Sequence, residues 1–422
     1  MGYIQGILKF LVNRLLELSI VVIIILFIPN LPPYSQFTKS VKLPPPHPLQ
    51  GSLSLNQKLN NVEIKYQGRL SGPESFSEYD GELYTGLNSG DIVKLTGNHI
   101  SPIVKTGKPC KAQYEERICG RPLGLKFHKG LLYVADAYYG ILSINVNNGK
   151  KKVLVSPDQI IDGKKSKWFN GIAVSKNGDI FWTDSSSTFH LENGLFELLS
   201  DPSGRLVHYD AKTKTNTVLI DKIHAANGVA LSDDEEFVLV SESVTGRILR
   251  YYLKGSFKGT YDVFIDRLPG LPDNINSDNA GGFLVALVTP IDDEHPNIVQ
   301  ILQQFPLARK FIVRMLGITQ WIFEQINKIY PNDMAKMGVY TVGRIAPLTQ
   351  LVESSRVTIL RISKDGVILD SLHATNKKIR AISEAYIFNK FLYLGSSQED
   401  YVARISLAEI GWKHLDHSKK NQ

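Results

Sequence analysis

The sequence predicts an all-β protein, a six-bladed β-propeller with a helical insert and an N-terminal transmembrane anchor. The first observation is a module of three short apolar strands that occurs twice between residues 169 and 253. The second is that the module recurs, so that six copies begin near residues 74, 123, 170, 227, 273 and 384. A period of about 40–50 residues with about four strands per unit is typical of a propeller.

The third observation is a strand that belongs to no complete copy. Val62-Glu-Ile-Lys-Tyr66 precedes the first module, whereas the last module ends one strand short near residues 403–407. We expect the early strand to complete the last blade and close the ring, because closure removes the exposed edges of an open sheet.

The two clearest copies each begin with an Asn-Gly pair, at Asn170 and Asn227. Asn-Gly is normally a hairpin turn, but a separate turn follows within a few residues in both copies. The two asparagines are therefore available for another role. Because the first strands of all blades converge on a central channel, side chains at their starts should meet around one axis.

Residues 1–30 are predicted to be a cytosolic tail and signal-anchor. The apolar run Leu18–Ile28 is shorter than the ~20 residues of a typical span unless Leu15 and Leu16 join it. A cleavable signal peptide is the alternative, but no small-x-small cleavage site follows. Lys9 and Arg14 precede the run, which predicts a type II protein with its propeller lumenal or extracellular, in the endoplasmic reticulum or plasma membrane.

Residues 31–60 are predicted to be a proline-rich stalk, since seven of the 20 prolines lie between residues 29 and 50. Such a composition favours stiff, extended polyproline. The propeller is predicted over residues 61–411 and a C-terminal tail over 412–422.

Residues 291–350 interrupt the repeat with apolar residues at helical spacing, and Pro306 and Gly317 suggest breaks, so we expect two or three helices. Three roles are open for this insert: a cap on one face of the propeller, a lid over the channel mouth, or a basic amphipathic surface that rests on the membrane.

The net charge of +7 is dispersed, without the alternation of basic and aromatic residues that nucleic-acid binding needs. No nucleic-acid partner is expected. The only cysteines, Cys110 and Cys119, lie in one loop. Two free thiols and a metal pair are alternatives, but the secretory-pathway segment favours a disulfide.

Oxygen donors occur at or just before the innermost strands of four copies. These residues are Glu74, Asn170, Asn227, Asp273 and Asn274. Calcium prefers about six to eight oxygen ligands, whereas zinc would favour His or Cys, which are missing at these positions. The pattern predicts one calcium ion in the central channel. Asparagines that only tie neighbouring strands together are the alternative.

Several motifs resemble those of the strictosidine synthase-like family, especially its membrane-anchored branch, the adipocyte plasma membrane-associated proteins and insect hemomucins. They are Gly72-Pro-Glu, Cys119-Gly-Arg-Pro-Leu-Gly124, Ala135-Asp-Ala-Tyr138, Trp182-Thr-Asp-Ser-Ser-Ser187, Pro269-Gly-Leu-Pro-Asp-Asn274 and Leu392-Tyr-Leu-Gly-Ser396. The wider superfamily includes paraoxonases and gluconolactonases, six-bladed propellers that hold calcium in the channel and hydrolyse esters or lactones. The resemblance implies the same five residues as calcium ligands.

The sequence also departs from that superfamily. The histidine base of paraoxonases is replaced by Leu123, and its partner histidine falls near Ala137. Ser75 stands where paraoxonases have an Asp that binds a second calcium, so one calcium is expected. The catalytic Glu of true strictosidine synthases aligns with Ser383, one residue before Glu384.

Three functions are compatible with these residues. The first is a calcium-dependent, arylesterase-like hydrolase of small-molecule esters or lactones, in which Asp273 or Glu74 activates water. The second is a cell-surface binding or adhesion module with structural calcium. The third, which we rank lowest, is a condensing enzyme.

Overall fold

The computed structural model of the chain describes residues 2–345 and 356–416, whose strands form six four-stranded antiparallel sheets and one two-stranded sheet. The helices are α1 (Gly2–Phe27), α2 (Glu116–Cys119), α3 (Gly194–Leu199), α4 (Ile298–Leu302), α5 (Pro306–Ile329) and α6 (Asp333–Val342). Short 3-10 helices cover Gly51–Leu53, Gln113–Glu115, Leu191–Asn193 and Lys413–Leu415.

The sheets follow one another along the chain. After β1 (Glu63–Lys65), the first sheet contains β2 (Phe76–Tyr79), β3 (Glu82–Gly86), β4 (Asp91–Thr96) and β5 (His99–Lys105). The second contains β6 (Pro122–His128), β7 (Leu131–Asp136), β8 (Gly140–Asn145) and β9 (Lys150–Val155). The hairpin β10 (Ile160–Ile161) and β11 (Lys164–Lys165) precedes the third sheet, β12 (Phe169–Val174), β13 (Ile180–Asp184), β14 (Gly204–Tyr209) and β15 (Asn216–Ile223).

The remaining sheets have the same order. The fourth contains β16 (Ala226–Leu231), β17 (Phe237–Glu242), β18 (Arg247–Tyr252) and β19 (Tyr261–Ile265). The fifth contains β20 (Gly270–Ser277), β21 (Phe283–Pro290), β22 (Val357–Ile362) and β23 (Ile368–Ala374). The sixth contains β24 (Glu384–Phe388), β25 (Phe391–Gly395), β26 (Val402–Ser406) and β1.

The first strands of the six sheets surround a common axis. Strand β2 contacts β6, and the contacts continue through β12, β16, β20 and β24 back to β2. The second strand of the fourth sheet, β17, is buried along its whole length because sheets cover both of its faces. The predicted all-β class is confirmed.

The ring closes through β1, as the unmatched early strand predicts. Its residues Glu63, Ile64 and Lys65 pair with three residues of β26 in antiparallel register. Leu59 and Val62, just before β1, are fully buried in the core between the fifth and sixth sheets. Closure thus joins segments more than 300 residues apart.

The predicted stalk and tail pack against this body. Val41 N donates to Gln303 O at 3.0 Å, and His47 N donates to Arg267 O at 2.8 Å. A polyproline segment forms no internal hydrogen bonds, so its backbone N–H groups need other partners. In this chain they donate to backbone carbonyl oxygens of the body. In the tail, Trp412 and Leu415 are buried in the core, while residues 417–422 lie outside the described part.

The insert contains α4, α5 and α6, in agreement with the predicted number of helices, and residues 346–350 of it lie outside the described part. Pro306 begins α5, where its missing N–H costs nothing. The expected break at Gly317 is wrong, because α5 runs through it. A Cβ at Gly317 would lie 2.4 Å from Pro33 Cδ, so this glycine serves a close contact instead of a break.

The N-terminal helix is longer than the apolar run alone. Residues Tyr3–Phe27 of α1 are long and apolar enough to cross a membrane and are almost entirely exposed. Arg14 and Glu17 form an ion pair at 2.6 Å on its surface. The predicted disulfide is also present, with the Cα atoms of Cys110 and Cys119 5.3 Å apart.

Candidate functional site

A cavity of about 370 Å³ opens where the innermost strands begin. Four of the five predicted ligands line it: Glu74, Asn170, Asn227 and Asp273. Three of these positions, Asn170, Asn227 and Asp273, share one local feature, a break in pairing register. The register of β12 with β13 shifts between Phe169 and Ile172, and β16 and β20 shift at the corresponding places. Such bulges redirect side chains out of the regular alternation.

The Asn-Gly pairs pack neighbouring strands tightly around the axis. A Cβ at Gly171 would lie 2.6 Å from Asn227 O, and one at Gly228 would lie 2.5 Å from Asp273 O. A side chain at either position would collide with the backbone of the next sheet. The glycines are therefore required by close approach between sheets, and the adjoining asparagines are left at the cavity wall.

Glu74 is neutralised by a protein cation. Its Oε2 atom lies 3.0 Å from an Arg121 guanidinium nitrogen, and both side chains are buried. Burial raises the pKa of Glu74, while the charges of Arg121 and Arg344 act in the opposite direction. Arg121 also donates to Gly72 O at 3.1 Å, which ties the two sheets together beside the cavity.

Asp273 has no such counter-ion within the described residues. Burial, followed by the nearby carboxylates of Glu74 and Glu384, raises the pKa of Asp273 well above its usual value. A cation at this place would relieve the repulsion between the carboxylates and offset the desolvation of Asp273.

Three buried oxygens on the cavity wall have no hydrogen-bond partner in the described part of the chain. They are the Oδ1 atoms of Asn170, Asn227 and Asp273. Asn170 uses its other polar atom to donate to Ser185 Oγ at 3.0 Å. Buried polar groups are normally paired, so this set fits an oxygen-coordinated cation. No cluster of three or more His, Cys, Asp or Glu residues suited to a metal occurs among the described residues, so any such site depends on amide oxygens.

Asn274 is placed differently from the other four predicted ligands. It lines a second cavity of about 430 Å³, formed by the later residues of the innermost strands. Its backbone N donates to Ser383 O at 3.1 Å. Its role as a ligand stays a prediction.

Glu384 lines the same second cavity. Its carboxylate accepts from Phe76 N at 3.3 Å, and burial raises the pKa of Glu384 to about 8. Leu123, which stands where paraoxonases have their base, lines the first cavity together with Trp168 and Ile345.

Both ends of the insert line the first cavity, through residues 295–299 and 344–345. Arg344 is held by Glu116, with its nitrogen 2.7 Å from a carboxylate oxygen. His295 was missed in the sequence; its Nδ1 lies 2.7 Å from Asp292 Oδ1, and Asp292 also pairs with Arg356. The signal was the Asp-x-x-His spacing at the start of the insert, and the insert thus supplies a histidine to the wall of the first cavity.

The chain is similar along most of its length to a membrane-associated relative. It is 41% identical over 408 residues to the adipocyte plasma membrane-associated protein Hemomucin of Drosophila melanogaster, covering 95% of this chain and 70% of the relative. The chain belongs to the adipocyte plasma membrane-associated protein/hemomucin family.

Other members and models agree with this assignment. The family protein of Mus musculus is 35% identical over 365 residues, covering 85% of this chain and 81% of the relative. The family model "Strictosidine synthase" matches residues 170–256, and the model "Strictosidine synthase-like, N-terminal" matches residues 51–95.

Two solved structures share the fold of this family member. A gluconolactonase from Xanthomonas campestris has a TM-score of 0.51 and 12% identity, covering 87% of this chain and 96% of its own. A putative gluconolactonase has a TM-score of 0.50 and 13% identity, covering 82% and 92%. At this identity the likeness concerns the fold alone.

Proposed function

We propose that this family member is a calcium-dependent hydrolase of esters or lactones, which acts in the central channel of a six-bladed propeller. The observation that carries the proposal is the convergence of three unpartnered buried oxygens with Glu74 in one cavity. Glu74, Asn170, Asn227 and Asp273 would hold the ion, with Asn274 as a fifth candidate. When bound, calcium polarises a carbonyl and stabilises the charge that develops on its oxygen.

The chain's own residues supply the remaining functions. Asp273 has an oxygen without a protein partner and is the better acceptor for a proton from water, because Glu74 is engaged by Arg121. His295, oriented by Asp292, is a second candidate base on the cavity wall. A base that is oriented by a third group is a recurring arrangement in hydrolases.

The cavity favours an apolar substrate. Apart from the polar groups around the axis, its walls include Leu123, Trp168, Leu195, Leu271 and Ile345. Such walls exclude water and bind acyl chains or aromatic rings by burial of apolar surface. Simple aryl esters are therefore suitable first substrates.

The deciding experiment is hydrolysis of an aryl ester by the detergent-solubilised full chain, with and without a chelator. We expect slow hydrolysis that is lost with chelator and restored by calcium. Asp273→Asn should lower kcat/KM about 10²–10⁴-fold, the size of the loss of a general base. Asp221→Asn, on the outside of the third sheet, is the matched control.

Two results would contradict the proposal. A calcium-loaded protein without hydrolysis above background would favour the binding module. Hydrolysis that survives both the chelator and Asp273→Asn would place the reaction elsewhere. If the enzyme is active, the variant His295→Gln shows whether His295 or Asp273 is the base. It should lower kcat by about 10²–10⁴-fold only if the imidazole accepts the proton.

We also propose a type II topology, with the propeller lumenal or extracellular. Lys9 and Arg14 precede the apolar end of α1, and the Cys110–Cys119 disulfide suits an oxidising compartment. Protease added to intact microsomes should leave the propeller protected, and addition of detergent should expose it. Digestion without detergent would overturn the orientation.

A further inference from the structure

Helix α5 has one face packed on the protein and one face that the described residues leave largely exposed. Its inner face contains the buried residues Arg309, Val313, Gly317 and Gln320, and Arg309 donates to Leu199 O at 2.9 Å. Its outer face carries apolar residues at intervals of three and four, which form one stripe along a helix. These residues are Leu307, Phe311, Met315, Ile318, Ile322, Ile326 and Ile329.

Five of the seven residues of the stripe are exposed, and Phe311 and Ile318 are half-buried. Leu307 is 55%, Ile322 47% and Ile329 86% exposed, and Trp321 beside them is 52% exposed. Exposed Tyr330, Met334 and Met337 extend the surface onto α6. A contiguous apolar surface of this kind marks an interaction site. We call these residues, from Leu307 to Met337, the outer face.

The membrane anchor ends against the same helix. Arg314 donates to Ile25 O at 2.7 Å and to Leu26 O at 3.1 Å, so it satisfies carbonyls at the C-terminal end of α1. The Lys310 ammonium lies 5.7 Å from the centre of the Phe27 ring. One side of α5 contacts the anchor and the segment after it through positions 310, 314 and 317. Position 321 continues the same helical spacing, so Trp321 lies on this side as well.

We propose that the outer face lies on the lipid surface of the bilayer that α1 enters. Because α5 caps the last turn of the anchor α1, it is held at the depth where α1 leaves the hydrocarbon core of the bilayer. Lys310, Arg314, Lys328 and Lys336 flank the apolar stripe, which is the composition of helices that lie in the interface. Trp321 and Tyr330 are of the residue types enriched at that level.

This contact has a consequence for the cavity. The insert reaches the membrane with α5, while residues at both of its ends line the cavity. The insert thus connects the wall of the cavity to the proposed membrane contact.

The four tryptophans of the chain make the proposal directly testable. Trp168, Trp182 and Trp412 are at most 6% exposed, and α1 contains no tryptophan, so Trp321 alone is available to lipid. Full-length protein is reconstituted into phosphatidylcholine–phosphatidylserine vesicles with plain or brominated acyl chains. Brominated lipid should quench part of the tryptophan fluorescence of the wild type and none of that of Trp321→Phe.

Two further variants test the stripe itself. Ile322→Glu with Ile329→Glu should reduce the quenching of Trp321, since both changes place charges on the outer face. Val153→Glu with Val367→Glu introduces the same two charges at exposed positions, in β9 and just before β23, and should leave the quenching unaltered. Unchanged melting temperatures in detergent verify that both proteins fold.

Equal quenching of the wild type and Trp321→Phe, or none in either, would overturn the proposal. Absence of quenching would show that something other than lipid, such as a second copy of the chain, covers the outer face. Quenching that persists unchanged in the Ile322→Glu, Ile329→Glu protein would overturn the role of the stripe.

Discussion

At the scale of single residues, the structure contains a buried carboxyl group that should make stability depend on pH. Glu197 accepts hydrogen bonds from Ser186 Oγ at 2.6 Å and Ser203 Oγ at 2.8 Å. Burial raises the pKa of Glu197 from its ordinary value of 4.5 to about 7. Between these two values the folded protein binds more protons than the unfolded chain, so the Glu197 contribution to stability falls as pH rises.

We therefore expect the wild type to lose stability relative to Glu197→Gln as pH rises from about 4.5 to about 7. Melting temperatures of the two proteins across this window provide the measurement. Glu409→Gln, at an exposed position, should reproduce the wild-type slope. Parallel curves for the wild type and Glu197→Gln would show that folding does not raise the pKa of Glu197.

The proposed ligands yield a prediction about stability that does not depend on catalysis. Calcium should raise the melting temperature of the wild type, because a ligand that binds only the folded state stabilises it, by about 2.7 kcal/mol at 100 times its Kd. Asp273→Ala and Asn227→Ala should remove most of this increase. Asp221→Ala should retain it, and an equal calcium effect in all four proteins would contradict the assigned site.

At the scale of secondary-structure elements, Gly317 decides how the anchor segment meets the insert. A Cβ at this position would lie 2.4 Å from Pro33 Cδ and 3.0 Å from Pro32 O. Alanine is favoured over glycine in a helix by about 1 kcal/mol, but here the collision with a rigid proline pair should outweigh that preference.

Gly317→Ala is thus expected to lower the melting temperature and speed proteolysis of the segment after α1. Thr319→Ala, on the exposed side of α5, changes helix preference without touching Pro33 and should leave both measurements near the wild type. A higher melting temperature in Gly317→Ala would show that the contact contributes little.

At the scale of the whole molecule, ring closure depends on a short segment near the N-terminus. Val62 is fully buried beside the residues of the sixth sheet, although its partners are more than 200 residues away in sequence. Val62→Asp would bury an unpaired charge at this closure, so we expect a loss of more than about 2 kcal/mol in the free energy of unfolding. Glu63→Ala, at the exposed neighbouring position, should cost less than about 1 kcal/mol.

Urea unfolding of both proteins provides the measurement. A comparable small loss in both would mean that β1 is dispensable for the closed ring.

Local patterns in the sequence were sufficient to predict the repeat, the unmatched strand that closes the ring, the cysteine pair and the N-terminal apolar helix. These features depend on local patterns of apolar residues and turns, which can be recognised within short stretches of sequence. The oxygen donors at the starts of the innermost strands were found for the same reason, since a repeated fold places equivalent positions around one axis.

Which side chains share a cavity could be established only from the packed fold. Asp273 lines the first cavity and Asn274 the second, because neighbouring residues on a strand face opposite ways and a bulge changes that alternation. The Arg121–Glu74 pair and the entry of His295 depend on contacts between different sheets and the insert. The glycine inside α5 at position 317 is explained by its close contact with Pro33, a residue far away in sequence. No local pattern records such contacts, since they arise only when distant segments pack together.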